Sequence, residues 1–407
     1  MTLLRNPRKL FEAYDSEALR GMGRAKWTLG SNLFGAAVAE MDFAPAGEIV
    51  SALRSAIEKG DFGYPHQAVI ETAAEAMRQW LVDQYDWDVE RQDVVTIGGL
   101  VHALEAYFLF FAGEKKDVVV PTPSYPPFLH VPTELGWNVI ESPMQCVDGR
   151  WCLDLDDIER AFAKGAGTLI LCNPHNPTGT VFTRAELTSL SEIVEAHGGR
   201  VFSDEIHGPL TYNTSAAGED QRHVPYASVT DAATGHAMTG VSATKGWNMG
   251  GINAAHVVVA ERDRATAQRL NAMLSHSAST PGLWATAAAY NDGRGWLENL
   301  LDYLNENRRR LAELICDSLP GVGYRIPDAS YLAWIDFRQT EWADCPSAHI
   351  SQRARVALVE GADFGSPGPG FARLNFATPY PVLEEILAAI SEAFQSTRST
   401  RPRNELI

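Results

Sequence analysis

The feature that most constrains this chain is an alternation in its middle third. Short β-branched runs alternate there with segments of helical period. The runs are DVVVP (Asp117–Pro121), TLILCN (Thr168–Asn173), RVFSD (Arg200–Asp204) and AAHVVVA (Ala254–Ala260). Each is apolar almost without a break, as strands buried on both faces require. Between them lie helical patterns such as Arg184–His197, which opens on Thr183 with Glu186 three residues on, the sequence signature of a capping box. Strand–helix alternation of this kind predicts an α/β fold, a mostly parallel central sheet flanked by helices.

The last third differs. Long helical patterns over about 295–319, 346–360 and 380–396 flank one strand, SYLAWIDF from Ser330, which predicts a smaller α+β domain. The expected division is an N-terminal segment, 1–44, joining the small domain; a large domain, 45–285; and the small domain, 286–407. The polar tail from Ser396 is expected to fray.

Composition excludes several classes. With 34 basic against 51 acidic residues the net charge is −17, which argues against nucleic acid or an anionic membrane surface as a partner. Five scattered cysteines form no CxxC pair, so neither a metal ribbon nor a disulfide framework is expected, and a reducing cytoplasm fits best. The first residues have no apolar core of a signal peptide, and no apolar run approaches the ~20 residues of a membrane span. HExxH, GxxxxGK[ST] and GxSxG are absent, and GSPGPG at 365–370 lacks the strand–helix context of a dinucleotide loop.

Three segments carry the chemistry: NPHNPTG (173–179) after the TLILC strand, SDEIH (203–207) closing the next, and SATKGWN (242–248) before another. In an open α/β sheet, ligands bind beyond the carboxyl ends of the strands, where all three would lie. With AEMDF (39–43), GDFGYP (60–65), PTPSYPPF (121–128), YLAW (331–334) and GFARLNFATP (370–379), they make the chain resemble the fold-type I pyridoxal-phosphate enzymes from about Trp27 to Pro379. Within that superfamily it looks most like the cystathionine β-lyase branch of MalY- and PatB-type C–S lyases.

That resemblance implies a site. An aldehyde cofactor needs a primary amine for a Schiff base. Of seven lysines, the resemblance selects Lys245, which also becomes the base for the substrate Cα proton. Lys9, Lys26, Lys59, Lys115, Lys116 and Lys164 read as solvated surface. Asp204 matches the carboxylate that keeps the pyridine nitrogen protonated, Asn176 and His207 the groups at the ring oxygen, and Tyr125 the stacking aromatic. Gly99, Leu100, Val101 and Ser242 match the phosphate cradle. Tyr64 matches a tyrosine that reaches the phosphate from a neighbouring subunit, which implies a homodimer with shared active sites. Arg373, with Asn176, matches the holder of the substrate α-carboxylate.

Two departures from the aminotransferase pattern, His207 in place of a tyrosine and Asn253 in place of a phosphate-binding arginine, both favour the lyase branch. The implied cofactor is pyridoxal 5'-phosphate, with no metal. The implied reaction is α,β-elimination of L-cystathionine or another cysteine S-conjugate. The alternatives are an aminotransferase, a natural-product relative acting on a bulky cysteine conjugate by C–S cleavage or by decarboxylation-coupled oxidative deamination, and a regulatory binding partner.

Overall fold

The computed structural model describes residues 7–30, 32–214 and 220–399. Residues 1–6 of the N-terminal segment and 400–407 of the polar tail lie outside the described residues. The chain divides into two compact units: Pro45–Leu301 with Asp328–Ser330, and Met1–Ala44 with Asp302–Pro327 and Tyr331–Ile407.

The larger unit is built on a seven-stranded sheet. Its strands are β1 (Val94–Ile97), β2 (Asp117–Thr122), β3 (Asn138–Pro143), β4 (Thr168–Cys172), β5 (Arg200–Asp204), β6 (Ala237–Val241) and β7 (Ala255–Val259). They lie in the order β1-β7-β6-β5-β4-β2-β3. All neighbours pair parallel except β7, which is antiparallel to both β6 and β1. β7 therefore starts at the edge where the other six strands end, and the β6–β7 connection stays on that edge.

The four runs recognised in the sequence became β2, β4, β5 and β7. β1, β3 and β6 lack a comparable signal. β1 is only four residues long, and β3 lies at the sheet edge with one buried residue, Ser142. β6 (AMTGV) carries Gly240 mid-strand, where an added Cβ would stand 2.9 Å from the Leu100 side chain. Glycine there weakens the local strand signal in exchange for close packing of a helix on the sheet.

The helices of the larger unit include α1 (Gly47–Lys59), α2 (Gln67–Tyr85), α3 (Leu100–Phe110), α4 (Arg184–Ala196) and α5 (Thr280–Asn291). The capping box of α4 is formed: Thr183 Oγ1 accepts from the Glu186 N–H at 3.2 Å and Glu186 Oε2 from the Thr183 N–H at 2.8 Å. The unit boundary falls after Leu301, inside the helix α6 (Arg294–Ser318), not after residue 285. The reason is local. α5 packs on α1 and α2, and the fully buried Trp247 donates its indole N–H to the Gly293 carbonyl at 2.9 Å.

The smaller unit holds a four-stranded sheet. Its strands are β8 (Gly323–Tyr324), β9 (Leu332–Asp336), β10 (Val359–Glu360) and β11 (Phe371–Asn375), in the order β8-β9-β11-β10. Helices α7 (Pro346–Ala354) and α8 (Tyr380–Ser399) belong to it. The helix expected over 346–360 is thus shorter. Arg355 takes a left-handed conformation (φ 59°), and the β-branched Val356 and Val359 that follow lie in short strands.

Lys26 corrects a second expectation. The other five lysines assigned to the surface are exposed, but Lys26 is fully buried. Its Nζ lies 2.7 Å from Asp42 Oδ2 and 3.4 Å from the Ala377 carbonyl, while Trp27 donates to Asp42 Oδ1 at 2.8 Å. Burial lowers the lysine's proton affinity, and Asp42 opposes that shift. The neighbours Arg24–Trp27 look solvated in sequence because the groups that bury Lys26 come from residues 42 and 377. Asp42→Ala strands a buried amine and should cost about 3–5 kcal/mol. In denaturant unfolding the Lys26→Met/Asp42→Leu pair should lose less than the single change. An unchanged midpoint for Asp42→Ala would refute the role of this pair.

Candidate active site

The site is assembled at the carboxyl edge of the large sheet. Parallel register places Cys172, the last residue of β4, opposite Asp204, the last of β5, and Asp204 opposite Gly240 of β6. Backbone bonds carry the ladder one step beyond the strands: Asn173 N–H to the Asp204 carbonyl and Glu205 N–H to the Gly240 carbonyl, both at 3.0 Å. The chain turns aside immediately afterwards, so the segments carrying Asn176, His207 and Lys245 all leave from one edge.

Asp204 is buried. One carboxylate oxygen accepts the Ile206 N–H at 3.0 Å. Its proton affinity is raised to about 7: burial is the largest cause and the neighbouring Glu205 charge adds to it, while the Ile206 N–H and the Lys245 cation oppose the rise. Lys245 is half-buried in the β6–β7 turn. That turn is held by Trp247 N–H to the Ala243 carbonyl at 3.0 Å and Met249 N–H to the Thr244 carbonyl at 2.8 Å.

Asn176 is buried in the loop after β4, and its N–H is bonded to the buried Cys172 thiol. His175 anchors this loop: its ring nitrogen Nδ1 meets Thr178 Oγ1 at 2.9 Å, and burial drops its proton affinity to about 3. His207 is buried at the start of a short 3-10 turn, Gly208–Leu210. Tyr125, half-buried, precedes the helix Pro126–Glu134 and packs on the same core cluster as Cys172 and Ile206.

Gly99 caps α3, so the first amides of that helix, from Leu100 and Val101, open at the same edge after β1. The glycine that sterics demand is Gly98, not Gly99: an added Cβ would stand 2.4 Å from the Ser277 carbonyl oxygen, and Gly98 N–H donates to Ser277 Oγ at 2.8 Å. Ser242 is buried and engaged within its own turn. Its hydroxyl donates to the Ala254 carbonyl at 3.0 Å and accepts the Thr244 N–H at 3.2 Å. Asn253 is exposed, and its carbonyl accepts the Ser279 N–H at 2.8 Å at the start of α5.

The two remaining selected residues are Tyr64 and Arg373. Tyr64 is 81% exposed, its ring stacked on His276 at 5.3 Å. Arg373 lies on β11 in the smaller unit, buried, opposite Trp334 and Val359. It donates to the Ala37 carbonyl at 3.3 Å, and its guanidinium carbon lies 5.1 Å from the Phe364 ring centroid.

These residues fit pyridoxal 5'-phosphate. A buried acid of raised proton affinity suits a cationic ring N–H, which would restore its carboxylate form. An amine stands within electrostatic reach of that acid, and helix amides face the same edge for a phosphate.

The sequence matches the model of the family described as aminotransferase class I and II over residues 32–390. The chain belongs to that family. Its relatives include a cystathionine β-lyase of Corynebacterium glutamicum, 32% identical over 92% of this chain and 98% of that protein. The cystathionine β-lyase PatB of Bacillus subtilis is 31% identical over 92% and 97%. Among solved structures, the PLP-bound C–S lyase from Staphylococcus hominis superposes with a TM-score of 0.83 at 26% identity, covering 94% of this chain and 99% of that one.

The raised proton affinity of Asp204 has a definite sign in the cofactor-free chain. The folded state keeps that proton to about pH 7, whereas the unfolded carboxyl loses it near its ordinary value of 3.8, so this group makes stability fall as pH rises through that window. His175 and His256, buried with proton affinities near 3, act oppositely, because the unfolded chain takes up their protons first as pH falls below 6.5. They are common to parent and variant. Cofactor-free Asp204→Asn should therefore be more stable than the parent at about pH 8, by on the order of a few kcal/mol, with the gap closing toward about pH 4. Urea unfolding at both values checks this, and equal stability at the higher pH would contradict it.

Proposed function

We propose that this family member is a PLP-dependent carbon–sulfur lyase, cleaving L-cystathionine or another cysteine S-conjugate to a thiol, pyruvate and ammonia. The observation that carries the reading is a buried, proton-avid Asp204 within electrostatic reach of Lys245 at one sheet edge, in a chain whose relatives include cystathionine β-lyases.

The bound cofactor supplies an electron sink that makes the substrate Cα–H acidic. The protein's residues do the rest. Lys245 would hold the cofactor covalently through its Nζ and, as a free amine, would take the Cα proton. Asp204 keeps the ring nitrogen protonated. Asn176 and His207 serve the ring oxygen, and Tyr125 covers a ring face. Gly99, the amides of Leu100 and Val101, and the Ser242 hydroxyl once turned from the Ala254 carbonyl would hold the phosphate.

Arg373, with Asn176, binds the α-carboxylate. As the Cα–H pair moves toward Cβ, the Cβ–S bond breaks. The thiolate leaves and takes up a proton, and the freed aminoacrylate adds water to give pyruvate and ammonia. Asn253, standing where aminotransferases of this superfamily commonly carry an arginine, resembles the lyase branch, which often lacks it too.

The active unit is a homodimer in the cytoplasm, with Tyr64 serving the neighbour's phosphate. The exposure of Tyr64, Phe62 and Met273 supports this arrangement. No helix among the described residues is long and apolar enough to cross a membrane.

Incubation with L-cystathionine and with S-substituted cysteines should give pyruvate and free thiol in equal amounts. Carbon dioxide, or a pyridoxamine spectrum without thiol, would overturn the reaction. Lys245→Ala should lose both turnover and the borohydride-reducible cofactor linkage; a retained linkage would move the assignment to another amine. Arg373→Ala should raise KM roughly 10- to 100-fold with the cofactor still bound.

A further inference from the structure

Next to Asp204 the turn buries a second carboxylate that the mechanism above leaves unused. Glu205 is 3% exposed. Its Oε1 accepts the Ser203 hydroxyl at 2.8 Å and the Tyr226 N–H at 2.9 Å, and its Oε2 lies 2.9 Å from His223 Nε2. His223 is equally buried, and its Nδ1 has no partner among the described residues. A buried, unpartnered ring nitrogen is best left without a proton, so the proton sits on Nε2 and is donated to Glu205. Three donors thus converge on a carboxylate with no cation among its bonded partners.

The turn cannot relax away from this arrangement. Glu205 N–H is bonded to the Gly240 carbonyl of β6, and Gly208 N–H to the Glu205 carbonyl at 2.9 Å. A Cβ on Gly208 would stand 3.1 Å from both the His223 ring and the Tyr85 hydroxyl, and those two rings meet edge-on at 4.9 Å. The titratable groups that feel Glu205 are Asp204 beside it, Cys172 on β4, Tyr85 on α2 and His223, while Lys245 acts on Asp204 from the β6–β7 turn.

We propose that Glu205 is a positioning residue: held by Ser203, Tyr226 and His223, it keeps a fixed negative charge one residue from Asp204 and so governs where the proton sits between Asp204 and the cofactor's ring nitrogen. A second negative charge behind Asp204 raises the proton affinity of Asp204 and draws the shared proton from the ring toward Asp204, as like charges in a shared site require. Glu205 touches neither substrate nor cofactor. The inference rests on the assignment of Asp204 to the ring nitrogen.

The test is a pH titration of the visible absorbance of bound pyridoxal 5'-phosphate, together with its dissociation constant, in the holoenzyme and three variants. Glu205→Gln keeps the shape and the acceptor for Ser203 and Tyr226 but removes the charge. With that charge gone the ring nitrogen should be more fully protonated, and the absorbance midpoint should move to lower pH by about one unit. His223→Gln keeps the Glu205 charge and a donor to it, and should leave the midpoint unmoved even where it lowers the unfolding temperature.

An unmoved midpoint in Glu205→Gln, or an equal shift in both variants, would reduce Glu205 to a packing role. Asp204→Asn separates the two assignments. If it leaves the spectrum and midpoint unchanged, the ring-nitrogen assignment itself fails; if it responds while Glu205→Gln does not, only the Glu205 inference fails. Should Glu205→Gln not fold, carbon-13 NMR of the labelled glutamate carboxyls in the unmodified holoenzyme decides. Glu205 should remain ionised across the range in which the cofactor titrates, and a protonated Glu205 there overturns the inference.

Discussion

The candidate site depends on the parallel hydrogen-bond ladder that ends at Cys172, Asp204 and Gly240. Parallel pairing aligns the carboxyl ends of strands that are far apart in the chain. It also makes a short β6–β7 connection on that edge conditional on β7 running the other way. With β7 reversed, the turn bearing Lys245 stays beside Asp204. With β7 parallel, the chain would have to cross the sheet first, and the amine would be carried off with the crossover. Sheet direction and site composition are therefore one constraint.

The same ladder imposes an electrostatic cost. Strands buried on both faces exclude water from the edge residues too, so Asp204 holds its proton far above the ordinary carboxylate range. Such a group suits a cationic partner and burdens the empty fold. The loop after β4 answers differently, with a histidine, His175, held neutral by burial and tied to Thr178. Around Glu205 the answer is three hydrogen-bonding partners, Ser203, Tyr226 and His223. Each device keeps a polar group where apolar packing alone would expel it.

Much of this was legible in sequence, for stated reasons. Runs such as TLILC and RVFSD announce strands because burial on both faces removes polar alternation. Thr183 and Glu186 announce a helix start because both capping partners lie within four residues. Lys245, Asp204 and Asn176 stand out because the motifs that carry them, at or just after strand ends, resemble those of the fold-type I family. What failed to show depends on partners distant in sequence. Lys26 looks solvated until Asp42 and Ala377 surround it. Gly98 matters because of Ser277, and Gly240 because of Leu100. Glu205 reads as one more acid until His223, eighteen positions on, points into it.

The sequence by itself determined the α/β alternation, the family and the residue types brought to the sheet edge, since these follow from local periodicity and from motifs a few residues long. Only the tertiary structure decided which charges are buried, what compensates them, and where the units divide. Burial is set by groups that approach from elsewhere in the chain, and no local window contains them.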